Sequence, residues 1–194
     1  MVQVKKRKTA ETWKKKEWYS IYSPKEFEEK EIGTTPASEP DKLLNRVVEV
    51  PLREITGNLT HQFIKMRFRI VDVKGKNAYT KFDGFELVRE YLRRNVRRRR
   101  SMVRVVRQVE TKDNKKLVIT LYTFTARKIE TSKKDLIRKI MINFVDKIAK
   151  DNGFDALVQK MLFGSMAADI FKEVKSVTQV RRVEISKCQL VSEK

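Results

Sequence analysis

Between Arg89 and Arg107 the chain carries nine arginines and a single carboxylate, Glu90. Apolar residues in regular patterns flank this stretch on both sides, so the guanidiniums are mounted on a folded body rather than strung along a loose tail. Packing them together costs self-repulsion, which a compact state tolerates when counterions or a polyanion lie against it. The imbalance extends to the whole chain: 45 Lys and Arg face 25 Asp and Glu over 194 residues, a formal net charge of +20. That length suits one domain with a real core. The charge points to a nucleic acid or an anionic membrane surface as partner.

The membrane partner is disfavoured. No apolar run approaches the roughly 18 residues a spanning helix needs, and the sequence shows no lipidation signal. No apolar segment follows Lys5 to Lys8, so a secretory signal is not expected. Glu11 and Glu17 speak against a mitochondrial transit peptide. The lone cysteine, Cys188, cannot form an internal disulfide and suits a reducing cytosol.

Residues 1–40 read as an extended, largely irregular basic arm. Lys5, Lys6, Arg7 and Lys8 are followed by Trp13, then Lys14, Lys15 and Lys16, then Trp18. Tryptophans beside lysines can stack on bases or riboses while the ammonium groups meet phosphates. Equally, Trp13 and Trp18 can pin the arm to the protein's own core. Ser23 to Pro40 is broken by prolines and a glycine.

A single α+β domain is expected over 41–186, with a frayed tail at 187–194. Val48, Val50 and Leu52 suggest a strand that Pro51 ends or keeps at an edge. From Gln62 to Val73, Ile64, Met66, Phe68 and Ile70 alternate with Lys65, Arg67 and Arg69. The basic side of that strand is open to two readings, a solvated face or phosphate contacts. After the turn at Lys74 to Asn77, the segment from Ala78 to Phe82 is a candidate to pair back.

The spacing predicts a helix from Gly84 to about Arg98. At about 100° per residue, Phe85, Val88, Leu92 and Val96 share one arc, and Arg89, Arg93, Arg94, Arg97, Arg98 and Arg100 fan over the other half. Arg99 would fall inside the apolar arc, so the helix should end or unwind before it. Like-charged arginines four residues apart cost about 0.2–0.5 kcal/mol per pair in an isolated helix. Residues that cost stability imply a use, and Arg104 extends the same array into the next segment.

Ser101 to Thr111 and Lys116 to Ala126 form a hairpin around Lys112 to Lys115. Its second strand carries Leu117, Ile119 and Leu121 on one face and Val118, Tyr122 and Phe124 on the other, as a central strand would. Three helices follow. The first is capped at Ser132, with Ile137, Ile140, Met141, Phe144, Val145 and Ile148 along one stripe, and stops at Asn152-Gly153. The second spans Phe154 to Phe163. The third runs from Ser165 to about Lys175 with Met166, Ile170, Phe171 and Val174 inward. Arg181 to Ile185 is a short last strand.

Catalytic chemistry finds no foothold. One His and one Cys exclude the usual zinc spacings, and the glycines stand singly at turns rather than forming a phosphate loop. His61 reads as a surface or capping residue, Cys188 as an ordinary thiol in the tail. No cofactor or metal is expected. An RNA-processing enzyme would need carboxylates gathered by the fold.

The residues also resemble a known family. Trp13 to Tyr19, Pro24, Phe27, Ile32 to Ala37, Ile55 to Asn58, Phe82 to Arg93, Val96 to Arg98, Thr111 to Asp113 and Arg181 to Ile185 follow, in order, the pattern of the archaeal and eukaryotic small-subunit ribosomal proteins of the S3Ae family. Phe85 departs from it, standing where a histidine is expected, and Ser176 to Gln179 replaces a more apolar, proline-containing link. The resemblance implies a β-rich core with helices, here a mostly antiparallel twisted sheet or partly closed barrel. It also implies a non-enzymatic place on the small-subunit platform, near the rRNA 3′ end and the mRNA exit, in the cytoplasm. The partners it implies are small-subunit rRNA and neighbouring ribosomal proteins, without a membrane or a homo-oligomer. Because the chain stops soon after Ile185, the archaeal form is expected. The residues expected to bind rRNA are Lys5, Lys6, Arg7, Lys8, Trp13, Lys14, Lys15, Lys16, Trp18, Arg89, Arg93, Arg94, Arg97, Arg98, Arg99, Arg100 and Arg104. The rival to a ribosomal role is a free RNA chaperone or DNA-compacting protein with the same basic surface.

Overall fold

The structure, a computed structural model, describes residues 16–191, so Lys5 to Lys8, Trp13, Lys14 and Lys15 lie outside the described residues. Among the described residues, eight strands, mostly antiparallel, and five α-helices give an α+β fold. Two compact units divide it: residues 1–50 with 68–82, and residues 51–67 with 83–194. The division does not fall at residue 40, where the arm was expected to end.

In the first unit, β1 (Glu17–Tyr22) pairs antiparallel with β2 (Glu31–Ala37) and parallel with the start of β5 (Asn77–Leu87). Residues 17–22 and 31–37 are therefore strands, not the irregular arm read from the sequence. Breakers misled the reading because, among the described residues, β1 is the one strand that β2 pairs with, and an edge position accommodates Pro36, which cannot donate. Tyr19, Ile21, Ala37, Leu43, Ile70 and Ala78 form the core here. Phe27 packs beside them edge-on to Phe68, with ring centroids 5.7 Å apart. The turn at Gly75 joins β4 (Ile64–Lys74) to β5, so Ala78 to Phe82 does pair back. Met66, Phe68 and Ile70 are completely buried along β4, while Lys65 is exposed and Arg67 and Arg69 are half-buried. β3 (Val47–Pro51) ends at its proline, and Leu52 opens the short helix α1 (Leu52–Thr56), which belongs to the second unit.

In the second unit the end of β5 pairs with β8 (Val180–Leu190), β8 with β7 (Lys116–Thr125), and β7 with β6 (Met102–Glu110). Leu117, Ile119 and Leu121 face one side together with Val183, Ile185 and Cys188 of β8, all buried. Helix α3 (Thr131–Asp151) covers that side through Ile137, Met141, Val145 and Ala149, with Thr123 Oγ1 3.2 Å from Met141 Sδ. It begins one residue before Ser132, and Glu130 stands at its N-cap, so Ser132 is not the cap. Helices α4 (Phe154–Leu162) and α5 (Ser165–Lys175) lie where the periodicity placed them. Asp113, at the tip of the β6–β7 hairpin, accepts the Phe154 N–H at 2.6 Å and so caps α4, while Lys115 Nζ lies 4.1 Å from the Phe154 ring centre.

Strand β8 is longer than expected: it runs to Leu190 instead of fraying after Ile185. The register with β7 slips between Thr120 and Leu121, whose partners are Lys187 and Ile185, so Ser186 is an extra residue. That bulge reverses the alternation, which is why the pattern seemed to stop. It returns Cys188 to the core side, completely buried. Burial pushes its thiol up to about 12. The folded value lies above the unfolded one, roughly 8.5. The unfolded chain therefore ionises first, and stability falls as pH rises from about 8.5 toward 12, with no effect below that window. A thiol reagent at about pH 8 should leave the native protein unlabelled and react fully in concentrated guanidinium chloride. Native labelling at the rate of a free thiol would refute the burial.

Candidate nucleic-acid interface

The predicted helix from Gly84 to Arg98 is corrected at both ends. Asp83 to Leu87 belong to β5, and helix α2 spans only Arg89–Asn95. Phe85 and Leu87 are buried as strand residues, and the Val88 N–H bonds the Phe63 carbonyl at 2.9 Å before the chain turns into α2. At the other end the buried Asn95 donates its side-chain N–H to the Tyr91 carbonyl at 3.1 Å, and Val96 is already extended. Only Arg89 and Arg93 remain as a like-charged pair four apart within the helix, so unwinding relieves the repulsion that a longer helix would carry. Val96 is 52 % exposed, outside any buried arc. Arg99 takes a left-handed backbone, φ 60°, in the connecting turn.

Tyr91 fixes α2 over the sheet of its own unit. Its hydroxyl donates to Glu184 Oε1 at 2.9 Å, its ring stacks on Phe63 at 4.7 Å, and the Arg182 guanidinium lies 5.6 Å from its centre. Arg182 Nε also meets Glu184 Oε1, at 2.7 Å. Burial, then the Glu184 charge, pushes the Tyr91 hydroxyl up to about 12, so it stays a donor at neutral pH. Burial likewise raises the Glu184 carboxyl, while the Tyr91 hydrogen bond and Arg182 oppose it.

Register carries this face outward to the sheet edge. Glu184 pairs with Tyr122 and Tyr122 with Arg104, whose guanidinium lies 5.9 Å from the Tyr122 ring centre. Arg107, three residues on, points to the opposite face and holds Asp146 of α3 through two hydrogen bonds, at 3.0 and 2.8 Å. The sequence cluster is thus split by strand parity: Arg104 shares a face with α2, and Arg107 is spent on packing a helix.

Arg89, Arg93, Arg94, Arg97, Arg98, Arg99 and Arg104 are all exposed. Among the described residues, none of the six from Arg89 to Arg99 is held in an ion pair. Arg100 is half-buried, and its Nη1 is buried without a hydrogen-bond partner among them. Lys16 and Trp18 belong to the first unit. Trp18 is 59 % exposed on β1, so it is no anchor in that unit's core. Sequence reasoning left out Tyr91, Tyr122, Arg181, Arg182 and Glu184 as site residues. The signal was the alternation of Arg182 and Glu184 on one side of Val183.

His61 is half-buried in a short 3-10 helix (Leu59–Phe63), its Nδ1 3.3 Å from Thr56 Oγ1. Among the described residues no three His, Cys, Asp or Glu side chains are grouped to hold a metal, and no helix is long and apolar enough to cross a membrane.

The model of the ribosomal S3Ae family matches residues 4–194. Small ribosomal subunit protein eS1 of Aeropyrum pernix is 40 % identical over 185 residues, covering 93 % of this chain and 86 % of that protein. The protein of the same name from Methanothermobacter thermautotrophicus is 38 % identical over 193 residues, 100 % of this chain and 99 % of its own length. That of Methanobrevibacter smithii is 36 % identical over 187 residues, with 96 % and 97 % covered. With the match running nearly end to end, the chain belongs to the ribosomal S3Ae family.

Proposed function

We propose that this chain is a non-enzymatic component of the small ribosomal subunit in the cytoplasm, which binds rRNA through its backbone phosphates. The observation that carries the reading is the set of exposed guanidiniums from Arg89 to Arg99, none in an ion pair among the described residues, mounted on α2 and its turn and fixed to the sheet by Tyr91. Arginine suits this work because its planar fork meets two phosphate oxygens at once and stacks on bases. Arg104 beside Tyr122 extends the same face with a ring on which a base can stack. Lys5 to Lys8 and Lys14 to Lys16 supply further cations, a second clamp toward the N-terminus. Neighbouring ribosomal proteins of the platform, near the mRNA exit, complete its surroundings.

Phosphate contacts position a protein without reading sequence, so selectivity here comes from rRNA shape and unpaired elements. The test is the salt response of the full chain on isolated small-subunit rRNA. With six to ten phosphates engaged, affinity should fall about 10³–10⁵-fold between 50 and 200 mM salt on duplex scaling. A flat response would overturn the electrostatic mechanism. Sedimentation of cell extract at moderate salt separates the ribosomal role from that of a free RNA chaperone, which would stay outside the small-subunit peak.

A further inference from the structure

Beside Tyr91 the second unit holds a cleft of about 430 Å³, within the usual range for small-ligand sites. Its walls include the Phe63–Tyr91 stack and the half-buried Phe171 of α5. Glu184 is the one anionic side chain of this mixed lining, to which Thr60 and Tyr91 add hydroxyls. Both donors that hold the Glu184 carboxylate, the Tyr91 hydroxyl and Arg182 Nε, meet Oε1. Arg181 and Arg182 also line the cleft, both exposed.

We propose that this cleft receives one unstacked RNA nucleotide, with its base between the aromatic walls, its amino edge on Glu184 and its phosphate at Arg181 and Arg182. The inference rests on RNA being the ligand of the arginine face, and it adds a base-reading element that phosphate contacts lack. The chemistry sets the orientation. A phosphate pushed inward would meet the carboxylate, whereas at the rim it meets two guanidiniums. A carboxylate accepts from the amino groups of adenine, cytosine and guanine, which uracil does not have. Stacking supplies sequence-tolerant affinity, so the carboxylate supplies the preference. Two cations to one anion in the lining favour a polyanion over an apolar peptide.

The experiment uses the full chain with fluorescent hexanucleotides A6, C6 and U6, reading affinity by anisotropy and the Tyr91 and Phe171 ring signals by NMR. A6 and C6 should bind roughly tenfold more tightly than U6 and shift both rings. Glu184→Gln should bring that ratio close to one. Ala168→Leu, which fills the cleft from an exposed helix position, should do the same while leaving the salt slope of U6 binding unchanged. A wild-type ratio of one, or a ratio that survives both variants, would overturn the cleft while a steep salt slope kept the phosphate mechanism standing. Shifts of Phe171 with acetyl-Phe-amide and with no oligomer would assign the cleft to a protein side chain, again overturning it. Failure of every oligomer to bind would overturn both.

Discussion

Reversing two charges, Arg97→Glu with Arg98→Glu, should abolish stable incorporation of the protein into small subunits without unfolding it. Both residues are exposed beyond the end of α2 and neither is held in an ion pair among the described residues. Substitutions at such sites usually change stability by no more than about 0.5 kcal/mol. On RNA the effect should be large. If each guanidinium neutralises one phosphate, losing two contacts lowers the slope of log affinity against log salt by about 2. At 0.1 M salt that amounts to roughly 10²-fold in affinity, before the repulsion of two new carboxylates is added. Arg107→Gln is the internal control: it removes a cation from the same sequence cluster, but one turned toward Asp146 on the opposite face of the sheet. It should leave RNA affinity and incorporation unchanged. Normal incorporation of the double variant with an unaltered circular dichroism spectrum would refute the role of the turn. Loss of binding in Arg107→Gln would show that net charge, rather than placement, governs the interaction.

The contrast between Arg104 and Arg107 marks the limit of what the sequence disclosed. Strong period-2 patterns were legible: Met66, Phe68 and Ile70 on β4, and the opposed faces of β7, needed only alternation to be read. The three C-terminal helices were legible from their stripes and from the stop at Asn152-Gly153. Where two periods competed, tertiary contacts decided. Phe85, Val88, Leu92 and Val96 fit a helix by spacing, yet Ala78, Thr80, Phe82 and Gly84 already alternated as a strand, all buried. The strand persisted to Leu87 because β8 pairs with it. That pairing could not be foreseen while β8 was thought to end at Ile185, since its bulge at Ser186 hid the continuation. One local irregularity thus concealed a strand end, a buried thiol and the true start of the arginine helix. The candidate site was legible as a charge cluster but not as a face, because which arginines share a side depends on where β6 begins. Tyr91 and Glu184 are joined by the fold across 93 positions, a distance over which periodicity carries no information.

Gly84 is where that pairing is most exposed to mutation, and Gly84→Ala should be the most damaging small substitution in the second unit. In β5 it stands opposite Gln189 of β8, with φ +155°. A Cβ there would be driven into the Cys188 carbonyl oxygen, far inside van der Waals contact, and would lie 3.2 Å from Gln189 Cα. Both obstacles are backbone, so no rotamer change makes room. Either the strands part, breaking hydrogen bonds on both sides of Cys188, or the chain absorbs the strain. Overpacking and a strained backbone each cost about 1–3 kcal/mol, so the sum is roughly 2–6 kcal/mol of the 5–15 that typically hold a domain. For a chain of this size that is a fall in Tm of about 4–24 °C. Gly57→Ala separates close approach from backbone conformation, since Gly57 has φ +70° with nothing within 4 Å of the added carbon. It should lose only about 1 kcal/mol, the cost of the conformation alone. Equal losses in the two variants would mean that β8 yields without cost and that Gly84 is kept only for its backbone angle. A larger loss at Gly84, with Cys188 becoming reactive to thiol reagents at about pH 8, would locate the damage at the β5–β8 seam. Because β8 also carries Arg181, Arg182 and Glu184, the same variant should weaken RNA binding only as far as that seam opens.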